Sequence, residues 1–161
     1  MNYINYFFAS IISFLGLFIG ILLVKIAPEE QKLLKKNFSL ARKIFLLLLF
    51  LMIFHYFISL FYLSELISIF LFLLFIEYEV QDLYKKSTLI YAILGILFFL
   101  SSENSNLFTI ESSLILLYGL PTASLMYNKK EKNIKKIFLH NIIFIVIANM
   151  FFYIFTKTAN L

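Results

Sequence analysis

Residues 44–76 read IFLLLLFLMIFHYFISLFYLSELISIFLFLLFI, a run whose one formal charge is Glu65. A helix needs about 20 apolar residues to cross a bilayer. This run is too long for one such helix and too short for two. Two fit if the second continues past Glu77 and Glu79 and ends between Val80 and Tyr84. The choice sets the direction of every later segment, and the basic residues make it.

Thirteen of the 14 basic residues fall in three short segments. The first holds Lys25, Lys32, Lys35, Lys36, Arg42 and Lys43. The second holds Lys85 and Lys86. The third holds Lys129, Lys130, Lys132, Lys135 and Lys136, and only Lys157 lies elsewhere. Splitting residues 44–76 into two spans puts all three segments on one side of a membrane. Fusing them puts Lys85 and Lys86 opposite and leaves the other two segments on different faces. Loops rich in Lys and Arg stay on the cytoplasmic side, so the split reading is preferred.

The expected fold is therefore all-α, a polytopic integral membrane protein with six transmembrane helices. The spans run from about Tyr6 to Ile26, Ile44 to Leu63, Ser64 to 80–84, Ser87 to Ser101, Leu107 to Tyr127 and Ile137 to Thr156. The fourth is short and must borrow from its flanks. No basic residue precedes the first run, so it reads as a retained span with its N-terminus outward rather than a signal peptide. Both termini are expected on the non-cytoplasmic side, and the plasma membrane is the expected location. Turns are expected at Ser64-Glu65 and from Ser101 to Asn106. Most tyrosines, among them Tyr3, Tyr6, Tyr62, Tyr78, Tyr91 and Tyr153, fall near predicted ends, where interfacial anchors belong. The loops are too small for a soluble catalytic domain, so residues 1–161 read as one membrane domain.

Composition agrees. The chain is 62% hydrophobic and 14% charged, against about 25% charge in soluble domains. Phe is abundant at 21 residues, while Gly (4) and Pro (2) are scarce. That mixture suits helices and not a barrel of short strands and frequent turns. There is no cysteine, which excludes disulfides and thiolate chemistry. The net charge of +5 sits in membrane-flanking loops, so lipid headgroups and not nucleic acid are its expected counterpart.

The longest loop, 27–43, has its own pattern. Pro28 opens a helix, with Glu29 and Glu30 in its first turn. Leu34, Phe38, Ala41 and Phe45 fall on one face, and Lys32, Lys35, Lys36 and Lys43 largely off it. This predicts a short amphipathic helix on the inner surface that feeds the second span.

Few residues offer chemistry. His55 and Asn149 lie at similar depth in the second and sixth spans, with Ser59 one turn beyond His55. They suit an interhelical hydrogen bond or, less simply, a polar relay. Glu77 and Glu79, with Asp82 beyond, end the third span near His140 and Asn141. Pairing of Glu77 with basic loop residues is the plain expectation. Tyr118-Gly119-Leu120-Pro121-Thr122-Ala123-Ser124 interrupts the fifth span, because Pro121 deprives the Leu117 carbonyl of its helical partner. A bend is expected there. In a transporter, Tyr118 and Thr122 would line a cavity with Glu111 toward its outer mouth. In the first span Ala9, Ser13, Gly16 and Gly20 make a small-residue face suited to close helix packing.

The chain has no H-E-x-x-H, no G-x-S-x-G, no phosphate-binding loop and no D-x-x-D-G. Its two histidines are 85 positions apart, and no cofactor or metal is expected. Two functions stay open. One is a non-enzymatic accessory or scaffold subunit that contacts another membrane protein or a second copy. The other is a small transporter or channel subunit.

Overall fold

A computed structural model describes residues 2–57, 63–127 and 133–158. The described residues form α1 (Tyr3–Ile26), α2 (Pro28–Phe57), α3 (Leu63–Glu79), α4 (Leu83–Ser101), α5 (Ser105–Met126), α6 (Ile134–Asn141) and α7 (Ile143–Thr158). Only Ile142 separates the last two. The Ile142 N–H bonds the Phe138 carbonyl at 2.9 Å, and the Val146 N–H bonds the Ile142 carbonyl at 3.2 Å. The helical ladder thus runs on, and 134–156 is one continuous apolar segment. Ser59, Tyr62, Lys129, Lys130 and Lys132 lie outside the described residues.

Five helices are long and apolar enough to cross a membrane: α1, α2, α4, α5 and the α6–α7 rod. With 17 described residues, α3 is about 26 Å long and is the shortest of the six apolar segments. The chain is an all-α, polytopic membrane protein.

Local chemistry explains the helix ends. Asn2, Asp82 and Asn104 cap α1, α4 and α5 through their side chains. Asn104 accepts from the N–H groups of both Asn106 and Leu107 at 3.0 Å. Such caps satisfy N–H groups that have no partner within the helix. The fourth span gains its length at its basic end, where α4 begins at Leu83. Ser64 and Glu65 belong to the first turn of α3 rather than to a turn before it.

The amphipathic segment is not a separate helix. Pro28–Phe57 is continuous and about 45 Å long. Leu34, Phe38, Ala41 and Phe45 are partly buried on one face, while Lys32, Lys35, Lys36 and Lys43 are exposed. Nothing between Lys43 and Ile44 breaks the helix, since neither Gly nor Pro stands there.

At the centre is α5, packed most extensively on α1 and then on α2. α4 packs on the α6–α7 rod and on α5. α3 is peripheral and touches only α2 and α4 to any extent. At one end of the bundle Gln31 donates to the Ser124 and Tyr127 carbonyls, and Tyr84 and Asn133 both donate to the Met126 carbonyl. That gathers the starts of α2, α4 and α6 at a single basic end. At the other end Tyr6, Phe98, Phe108 and Phe152 form an aromatic cluster, with Tyr6 and Phe152 ring centroids 4.2 Å apart. Tyr6 and Tyr91 are fully buried and so are not interfacial anchors. Tyr3, Tyr78 and Tyr153 are exposed, as anchors should be.

Candidate functional site

The α1–α5 contact is built on small residues. A Cβ at Gly16 would overlap the Leu116 carbonyl, and one at Gly20 would overlap the Leu120 carbonyl and press on Ala123. A Cβ at Gly119 would lie 2.8 Å from the backbone of Gly16 and Leu17. Gly16 and Gly20 face Leu116 and Leu120 in the same order, so the two helices run parallel with their backbones in contact. Ser13 is buried and donates to the Ala9 carbonyl at 2.9 Å. The Ser124 hydroxyl bridges the Leu120 carbonyl of its own helix (2.8 Å) and the Gly20 carbonyl (3.3 Å).

The helix of α5 continues through Pro121 to Met126. Thr122 donates to the Tyr118 carbonyl at 2.8 Å, next to the one that lost its partner to the proline. Tyr118, Pro121 and Thr122 are all buried. The Tyr118 ring packs on Tyr91, with centroids 5.6 Å apart.

Asn149 does not meet His55. Its amide donates to Ser10 on α1 at 3.1 Å and to the Ile145 carbonyl at 2.8 Å. His55 is exposed on α2, about 18 Å along the helix from Lys43. α2 and α7 share no extended contact among the described residues, and equal depth did not reveal that. Glu111 is fully buried beside the Ser101 side chain, and neither carboxylate oxygen makes a hydrogen bond of regular geometry among the described residues. Deeper toward the basic end, Ser87 donates to the Asn141 side chain at 2.6 Å, which ties α4 to α6.

The most concentrated polar cluster lies at the basic end. Arg42 Nη2 meets Glu77 Oε1 at 2.5 Å. Lys86 Nζ donates to the Glu77 carbonyl at 2.7 Å and stands 3.9 Å from Oε1. Arg42 is 2% exposed and Glu77 12%. The pair is incomplete: Arg42 Nε and Nη1 and Glu77 Oε2 are buried with no hydrogen-bond partner among the described residues. Glu77 thus joins three helices, α2 through Arg42, α4 through Lys86, and its own α3. Arg42 is the chain's only arginine, and its planar fork suits a carboxylate better than lysine would. Sequence reasoning placed it in a basic loop. The signal it could have used was a lone Arg one turn before an apolar run, opposite a carboxylate one turn from the end of another.

A cleft of about 330 Å³ opens beside this cluster between α2 and α3. Its walls are apolar, with Lys43 and Glu77 at one end. A second apolar cleft, about 350 Å³, separates α3 from α4 at Ile69, Phe72, Ile93, Ile96 and Leu97.

The polar residues singled out in the sequence are therefore scattered. His55 is on the surface of α2, Glu77 is in the basic-end cluster, and Asn149, on α7, is bonded to Ser10 of α1. Glu111, Tyr118 and Thr122 are in the packed interior. These features define a helical, multi-spanning membrane protein. No family model, curated protein or solved structure matches the chain.

Proposed function

We propose that this protein is a non-enzymatic membrane subunit, an accessory or scaffold protein that works by contact with another membrane protein. The observation that carries this reading is His55. It is exposed on the apolar part of α2, next to Tyr56, which meets Asn104 at the α4–α5 connection, and so at the outer edge of a hydrocarbon core about 30 Å thick. An ionisable or hydrogen-bonding group facing lipid costs free energy unless something covers it. A polar group on a partner helix would do so. The dispersal of the other polar residues supports the same reading, because no cleft described among these residues brings them together. The basic end faces the cytoplasm, as the positive-inside rule directs, and the plasma membrane is the setting.

The second reading is a small transporter subunit. It rests on Glu111, Tyr91, Tyr118 and Asn149, each with a buried polar atom that makes no hydrogen bond of regular geometry among the described residues. One experiment separates the two. Tagged protein is extracted into nanodiscs without prior detergent, and native mass spectrometry records what accompanies it. The subunit reading predicts a stoichiometric membrane protein that is lost in His55→Leu. Isolation as a lone monomer, together with solute flux in liposomes that Glu111→Gln abolishes, would replace it with the transporter reading.

A further inference from the structure

We infer that the cleft between α2 and α3 is a binding site for an anionic phospholipid, with one acyl chain between the helices and the phosphate at Lys43. Two independent features lead there. The first is shape: α3 stands off the bundle with an apolar cleft on each side. Leu47, Phe70 and Leu74 line the α2–α3 cleft with hydrocarbon, and Leu47 and Leu74 are about half exposed within it. An acyl chain matches such a surface. The second is charge. At the basic end of this cleft, Arg42 and Lys86 are engaged by Glu77. Lys43 lines the cleft, is exposed, and has no ion pair among the described residues.

The wider charge balance points the same way. Glu79 and Asp82 are exposed at this end, as are Lys43 and Lys85. With the Arg42–Glu77–Lys86 cluster included, four cationic groups stand against three carboxylates. The complement is a negative headgroup, and basic sites between helices at the membrane surface recognise such headgroups. The site differs from the His55 surface used for the proposed partner, which lies about 18 Å further along α2. It stands or falls separately from that reading.

The chain contains no tryptophan, so one introduced residue reports the site. The full chain carrying Leu74→Trp is reconstituted in bilayers containing tail-brominated phosphatidylglycerol or tail-brominated phosphatidylcholine. The expected result is quenching by the anionic lipid at roughly fivefold lower mole fraction, the preference that one lysine near a headgroup supplies. Adding Lys43→Gln should remove the preference and leave the fluorescence otherwise unchanged. Leu47→Trp, on the facing wall, repeats the test should the first variant not fold. Equal quenching by the two lipids would overturn the proposal, as would a preference that survives Lys43→Gln. An introduced tryptophan that neither lipid quenches, because a second copy or a partner helix fills the cleft, would overturn it as well.

Discussion

Arg42 and Glu77 show how one pair can hold a weakly packed helix in place. α3 buries little apolar surface against its neighbours, with Leu73 and Ile76 its two buried hydrophobic side chains among the described residues. Packing alone gives it few contacts, so the ion pair at its end fixes its position. Removing one partner strands the other in a buried setting, which costs more than the pair's net contribution. Arg42→Ala should therefore lower stability by about 3 kcal/mol, while Arg42→Met combined with Glu77→Leu should cost much less than the two single changes summed. Thermal unfolding of all variants in one micelle system checks this. Additive losses would mean that the two side chains do not act together. From the sequence, Glu77 could be expected to seek a basic loop residue. That the partner would be Arg42, 35 positions away, depended on which helices are neighbours, and no residue-level pattern encodes that.

At the scale of helices, parallel crossings organise the bundle. α1 and α5 meet through Gly16, Gly20 and Gly119, and α4 meets α7 at Gly95, where a Cβ would lie 2.9 Å from the Phe144 carbonyl and 3.2 Å from Ile147. In lipid the hydrophobic effect does not press helices together, so backbone proximity and dispersion contacts must do so. Gly16→Ala forces Cβ into a backbone carbonyl that cannot move aside. It should cost about 2–3 kcal/mol, more than Gly95→Ala, whose Cβ meets a side chain as well as a carbonyl. Unfolding of the two variants side by side tests the order, and the reverse order would contradict the packing described. The small-residue face of α1 was legible in the sequence because Gly16 and Gly20 repeat at helical spacing in an otherwise bulky span. Its target was not. Gly119 and Ala123 form the matching pair on α5, masked there by the more conspicuous Pro121. The amphipathic pattern at Leu34, Phe38, Ala41 and Phe45 was equally legible, but periodicity says which face is apolar and not where a helix ends. Only the absence of a breaker at Lys43-Ile44 hints that α2 runs on.

Taken whole, the molecule has two unlike ends. One gathers Lys32, Lys35, Lys85 and Lys136 around the starts of α2, α4 and α6, where Lys136 Nζ lies 4.3 Å from the centre of the Tyr84 ring. The other is closed by aromatic packing around Tyr6. The edges of the apolar segments could be read from charge, because lysines that cannot enter hydrocarbon must mark them. The interior could not: Tyr6 and Tyr91 lie near span ends by counting and are buried by packing. The central claim is that this two-ended bundle crosses a membrane with its basic end inward. The chain has no native cysteine, so single cysteines can be placed without background. Leu33 lies in the basic-end extension of α2, and Glu103 in the short connection between α4 and α5 at the opposite end. In intact cells an impermeant maleimide should label Glu103→Cys and leave Leu33→Cys untouched until the membrane is permeabilised. Labelling of Leu33→Cys from outside in intact cells, or of both positions from the same side, would contradict the account.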